Sequence, residues 1–195
     1  MPSFEAEIRQ YLASQQLSFE DHCTSLRQLD FRFTDPQTQA QFSFDAKEKR
    51  QHYNLKNWPQ ATIPEAYLFI IDDLAARKIL AFAPNSGLAV RDNLHQHYYF
   101  FSVVDLYLIP KTRVNRTIRK AVESLKGKWL IDLRHGQCCG NLPELFQAMK
   151  AYLTNRKAIF LEILECYGQY PGEDVGISGI TRHPGHWDVD IRETR

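Results

Sequence analysis

Two short runs of alternating hydrophobicity, joined by a polar turn, constrain this chain more than any other feature. In LDFRF, Leu29, Phe31 and Phe33 fall on one side of an extended strand and Asp30 and Arg32 on the other, with Thr34 continuing the polar side. DPQTQ follows, with proline at a position that favours a turn. QFSFDAKEK then alternates again, Phe42, Phe44 and Ala46 against Ser43, Asp45 and Lys47. Successive strand side chains point to opposite faces, so the text predicts a β-hairpin with one apolar and one charged face. Upstream, Phe4, Ile8, Tyr11 and Leu12 recur at helical spacing over residues 4–15, and Ser3 can cap the first turn. The chain opens as a helix followed by a hairpin.

Directly opposed residues of an antiparallel pair share a face. A short turn sets Asp30 opposite Ser43, and a loop longer by two residues sets it opposite Asp45. In either register the two carboxylates lie within about 5–8 Å. Like charges that close are costly unless a cation stands between them. Arg32 or Lys47 can be that cation, and so can Mg²⁺, which takes carboxylate oxygens. The plain reading is an exposed hairpin with an Arg32–Asp45 or Asp30–Lys47 ion pair, a kind that contributes little. The chemical reading is metal-assisted phosphodiester cleavage. Two carboxylates hold the ion, and a lysine positions or deprotonates water and offsets charge on the phosphorane.

A helix, Asp30 on one strand, and Asp45-Ala46-Lys47 near the end of the next resemble the PD-(D/E)XK nuclease superfamily, which includes restriction-type endonucleases and Holliday-junction resolvases. Asp45-Ala46-Lys47 is the only Asp/Glu-x-Lys triplet in the chain. The resemblance spans residues 4–71, and it departs from the pattern in having Leu29 rather than proline before Asp30. It implies an α/β fold: a restriction-endonuclease-like αβββαβ core, its mixed central sheet flanked by helices, with further C-terminal elements over 134–195. It also implies Asp30 and Asp45 as metal ligands, Lys47 as the catalytic lysine, and a glutamate completing the set. Glu5 and Glu7 both border the apolar stripe of the first helix; Glu7 is preferred, and Glu20 is a third candidate. The implied cofactor is Mg²⁺ or Mn²⁺, the implied partner is DNA, duplex or branched, and a homodimer would bring two sites to two strands.

The rest of the chain reads as one domain over 1–195 with no repeat or linker. Strands are expected at 66–71, 78–83, 98–109 and 128–133 and near WDVDI, and helices at 113–125 and 143–153. AIFLEILE at 158–165 fits either state. Of the 195 residues 44% are hydrophobic, enough for a sizeable core, and the net charge of +1 does not announce a nucleic-acid binder. The four cysteines form no CxxC pattern, which suits a reducing cytoplasm. The longest apolar run, 98–109, is broken by Asp105 and too short to span a bilayer.

Positive charge is nonetheless segregated. KEKR, with Lys49 and Arg50, runs into QHYNLKNWP, a mixture that suits phosphate contacts with stacking, or equally a solvated loop with Trp58 in the core. Residues 111–128 hold seven Lys/Arg and one acid. On a helix, Arg113, Arg116, Arg119 and Lys120 would gather opposite Val114, Ile118, Val122 and Leu125, a face for phosphate. Zinc is poorly supported: His183 and His186 flank a turn, and Cys166 and the Cys138-Cys139 pair near His135 lack paired ligand spacing. HGQCCGN lacks the Lys-Ser/Thr of a phosphate-binding loop. Two rivals to a nuclease remain, a non-catalytic nucleic-acid-binding or regulatory module and a protein-interaction domain.

Overall fold

The structure is a computed structural model that describes residues 2–118 and 121–168, without the side chains of 117–118, 121–125 and 157–168. The chain divides into two compact units, Met1–Leu153 and Thr154–Arg195. Every residue discussed below as a site lies in the first.

Helix α1 (Phe4–Ser14) starts at Ser3, whose hydroxyl accepts from the Ala6 amide at 3.2 Å, and it buries Phe4, Ile8 and Leu12. Strand β1 (Phe19–Asp21) pairs antiparallel with β2 (Phe31–Thr34), and β2 with β3 (Gln41–Lys49), in a register that sets Phe31 opposite Phe44 and Arg32 opposite Ser43. Strand β4 (Leu68–Asp72) leaves this sheet, and α2 (Asp73–Ala81) returns the chain to β5 (Ser86–Asp92), which lies parallel to β3. Strand β6 (His97–Ser102) and the short β9 (Gln137–Cys139) complete a six-stranded sheet of order β1-β2-β3-β5-β6-β9. Helix, three antiparallel strands, helix and a strand parallel to the third make the αβββαβ order. A second, antiparallel sheet has order β4-β8-β7, with β7 Thr112–Ile118 and β8 Ala121–Asp132. Among the described residues no helix is long and apolar enough to cross a membrane.

Both faces of the large sheet are covered. Phenylalanines of the hairpin pack under α1 and under α4 (Leu142–Gly168): Phe33 and Phe44 meet Phe146 edge-on, Phe42 meets Tyr152, and Tyr11 stacks on Phe146. On the other face Leu88, Val90 and Phe101 bury against Ile71 of β4, Ile79 of α2, Leu106 of α3 (Val103–Leu108) and Trp129 of β8. The charged face of the hairpin therefore points into a layer of protein rather than into open water.

Three expectations are corrected. KILAFA at 78–83 is not a strand: it continues α2, whose DLAARKILA is rich in strong helix formers with Asp73 in the first turn. The run 98–109 is strand only to Ser102. There a reciprocal capping box between Ser102 and Asp105 starts α3. The expected basic helix at 113–125 is the β7–β8 hairpin. The helix expected at 143–153 forms and runs on through AIFLEILE. The strand expected near WDVDI lies outside the described residues.

Candidate functional site

The loop between β2 and β3 takes the longer of the two registers, so Asp30, one step beyond Phe31, comes opposite Asp45, one step beyond Phe44. Side chains close the ladder there. The Asp30 amide donates to Asp45 Oδ1 at 3.3 Å, and the Ala46 amide donates to Asp30 Oδ2 at 3.0 Å. Two buried carboxylates are thus held in place by the backbone of the neighbouring strand, with Asp30 8% and Asp45 1% exposed.

Two lysines answer them. Lys47 Nζ donates to Asp30 Oδ2 at 2.8 Å and to the Ala46 carbonyl at 3.2 Å, and it lies 3.2 Å from Asp45 Oδ2. From α2, Lys78 Nζ lies 3.3 Å from Asp45 Oδ1 and donates to the Gln28 carbonyl at 2.6 Å. Burial pulls the Lys47 ammonium down, but Asp45, Asp30 and their hydrogen bonds outweigh it and hold its pKa above the ordinary 10.5. Lys47 in this arrangement is a cation and a donor. Lys78 was hidden from sequence reasoning by the misread strand. The readable signal was the helix-forming composition of DLAARKILA.

The oxygens around Lys47 Nζ, from Asp30, Asp45 and the Ala46 carbonyl, are the hard donors that a small divalent cation takes. The donor set fits such an ion. Among the described residues no three His, Cys, Asp or Glu side chains converge as a metal cluster.

Glu7 does not join Asp30, Asp45 and Lys47. Its Oε2 accepts from Arg91 Nη1 at 2.7 Å and its Oε1 from the Tyr98 hydroxyl at 2.6 Å. Arg91 stands opposite Glu48 in the β3–β5 ladder, one residue out of phase with Lys47 and Val90, which places Glu7 across the sheet from the two aspartates. Glu5 instead borders a hollow of about 350 Å³ shared with Phe4, Lys47, Glu48 and Arg50. Glu20 pairs with His22 at 2.9 Å and Arg32 at 3.2 Å, so Arg32 balances Glu20 and not Asp45. The Asp30–Lys47 pair does form, but sheltered rather than on an open surface.

The expected phosphate contacts fare unevenly. Lys49 is fully buried: its ammonium donates to the carbonyl of Ala66 and, at 3.4 Å, to that of Glu65, and lies 4.0 Å from Asp92 Oδ2. A phosphate cannot reach it. Arg50 is exposed and paired with Glu48 at the rim of the hollow. On β7, Arg113 and Arg116 are an odd number of residues apart and so face opposite ways. Arg113 pairs with Asp73 at 3.0 Å, whereas Arg116 sits 4.3 Å from the Trp58 ring centroid and donates to the Asn57 carbonyl at 2.6 Å. Arg119 and Lys120 lie outside the described residues, as do His183, His186 and the Cys166 side chain.

No protein-family model matches this chain, and no curated protein matches it. Among the solved structures similar to it are one from an archaeon and one from a virus. One is a Holliday junction resolvase from the archaeal hyperthermophile Archaeoglobus fulgidus, at 11% identity and TM-score 0.40 over 68% of this chain and 93% of that one. The other is a nuclease from a fusselovirus, at 9% identity and TM-score 0.41 over 77% of this chain and 87% of that one. The chain's own element order, with β5 parallel to β3 behind an antiparallel β1-β2-β3, makes its fold restriction-endonuclease-like.

Proposed function

We propose that the chain is a divalent-metal-dependent phosphodiesterase acting on DNA, with Asp30 and Asp45 holding Mg²⁺ or Mn²⁺ and Lys47 assisting attack by water. The observation that carries the reading is the set of three oxygens, from Asp30, Asp45 and Ala46, gathered around one ammonium. A divalent ion bound there supplies a charge that polarises a phosphate oxygen and lowers the pKa of water. The chain's residues do the rest. Asp30 and Asp45 hold two negative charges in place on neighbouring strands before the ion arrives. Lys47, with a third of its side chain exposed, has a flexible stem that lets the ammonium turn to a phosphate oxygen and offset the charge developing there. Lys78 stays on Asp45 and keeps that carboxylate oriented. Titration of Mg²⁺ and Mn²⁺ into wild-type protein, with plasmid and branched DNA scored for cleavage, tests this directly. Asp45→Asn keeps an acceptor for the Asp30 amide and is expected to lose both metal heat and cleavage. Wild-type protein that takes up neither ion, even with DNA present, overturns the reading.

One observation favours a second reading. Lys47 and Lys78 already balance the two carboxylates, and Glu7 is spent on Arg91 and Tyr98. A nucleic-acid-binding module that keeps a nuclease-like fold without cutting would look like this. The same titration separates the two, since the module binds DNA with no metal uptake.

A further inference from the structure

Beyond the carboxylates, at the same end of β3, four planar side chains stand in a row: Arg134, Tyr67, His95 and His52. Arg134 lies 4.7 Å over the Tyr67 ring. Tyr67 and His95 are within 14° of parallel with centroids 6.5 Å apart, and His95 meets His52 edge-on at 6.3 Å. Buried carboxylates hold two of these groups from below. Asp132 accepts from Arg134 Nε at 3.0 Å and Nη2 at 2.6 Å, and Asp92 Oδ2 lies 2.8 Å from His95 Nδ1. Asp132 is 6% and Asp92 1% exposed, whereas Tyr67 is 36% exposed and His52 is exposed outright. The chain therefore uses interior anchors to hold a row of planar groups, Arg134, Tyr67, His95 and His52, that are all exposed to solvent.

We propose that this row is a platform for unpaired nucleotides, and that the nucleic acid served by the adjacent carboxylate site carries unpaired bases. The second clause rests on the nuclease reading above; the first does not. Every base has a π-face, so aromatic and guanidinium planes bind unpaired bases with little regard to sequence, at about 1–3 kcal/mol per base. Because Asp132 and Asp92 fix Arg134 and His95 before any ligand arrives, less side-chain freedom is lost on binding. A paired, stacked duplex hides the base faces that stacking on the row requires. Position ties it to the site: Lys49 lies two residues beyond Lys47 on the same face, and its ammonium reaches the Ala66 carbonyl beside Tyr67 and approaches Asp92. Asp45 is four residues of strand from Lys49, about 13 Å. A base on the row and a phosphate near Asp30 and Asp45 belong to the same stretch of one strand.

The test is binding in excess EDTA, so that neither metal nor cleavage enters. The probes are a fluorescein-labelled oligothymidylate, the oligouridylate of the same length, and a blunt duplex. Wild-type protein is expected to hold the single strands more tightly than the duplex, and the two oligonucleotides show whether the sugar matters. Tyr67→Ala and Arg134→Ala should each weaken single-strand binding about tenfold and leave duplex binding unchanged, while Tyr67→Phe, which keeps the ring, retains wild-type affinity. Binding in EDTA involves neither metal nor cleavage, so a failed nuclease reading leaves the platform standing. Unchanged affinity in both alanine variants, or an equal loss on duplex and single strand, overturns the platform. If cleavage is found but duplex is cut as fast as fork or flap DNA, the link between row and site falls.

Discussion

Lys47 and Lys49 sit two residues apart on one face of β3, yet their surroundings push them in opposite directions. Lys47 is raised, because Asp45 and Asp30 outweigh its burial; Lys49 is lowered, because full burial outweighs Asp92, Glu65 and Asp132. The pH dependences follow. A lysine raised in the folded state contributes stability that is complete below the ordinary 10.5 and is lost as pH rises through its folded value. A lysine lowered in the folded state does the reverse: between its folded value and 10.5 the unfolded chain binds more protons, so stability rises with pH. Lys47→Met should therefore flatten the fall in stability above about 10.5, and Lys49→Met should flatten the rise below it, as read from urea midpoints across an alkaline series. Equal slopes in the two variants would mean that the carboxylates do not outweigh burial at Lys47. The same residues show what was legible. Strand alternation places Asp30, Asp45 and Lys47 on one face without any structure. It says nothing of what covers that face, so the buried fate of Lys49 could not be read beside Lys47.

At the scale of elements, one guanidinium makes several of the ties between α1 and the large sheet. Arg91, 4% exposed, donates to Glu7 of α1, to Glu48 of β3 and to the Pro2 carbonyl, and its Cζ sits 5.5 Å from the Phe4 ring centroid. Removing it takes the guanidinium from Glu7 and leaves Glu48 with the exposed Arg50 as its cation. Arg91→Met is expected to destabilise the protein by about 3–5 kcal/mol, the range for breaking a buried pair, with α1 exchanging its amide protons faster than β5. A loss under about 1 kcal/mol would mean that the phenylalanine layer alone seats the helix. Glu7 bordered the apolar stripe as well as Glu5 did. A helical period distinguishes the buried from the open side but not which sheet residue waits there. The β7–β8 hairpin was hidden for a related reason. Val114, Ile118, Val122 and Leu125 fit a helical stripe, yet Thr112, Val114, Thr117, Ile118 and Val122 are β-branched and favour strand. Pairing with β4 on one side of β8 and with β7 on the other decided the matter. In α2 the error ran the other way, because a short apolar run cannot reveal its period, and Lys78 was lost with it.

For the whole molecule the question is how much of any nucleic-acid affinity comes from charge. The net charge is +1. Among the described residues, cations that the sequence offers to phosphate are largely engaged within the fold. Arg77 and Arg113 pair with Asp73, Lys126 and Lys128 with Asp72, Arg32 with Glu20, and Lys49 is buried. An internal pair has fewer counterions to release when a phosphate arrives. If stacking on the Tyr67 row supplies most of the binding, the logarithm of the single-strand association constant should fall only gently with the logarithm of salt. A slope of about −2 corresponds to some three phosphates at −0.7 each. Seven lysines and arginines presented together from 111–128 would instead give about −5. Titrating oligothymidylate at several salt concentrations in EDTA measures the slope. A shallow value that stays shallow in Arg113→Ala while affinity drops in Tyr67→Ala assigns the binding to stacking. A steep slope that Arg113→Ala and Arg116→Ala reduce by about 0.7 each would show that the hairpin cations leave their internal partners for the strand, and that the electrostatic footprint read from the sequence survives the change from helix to hairpin.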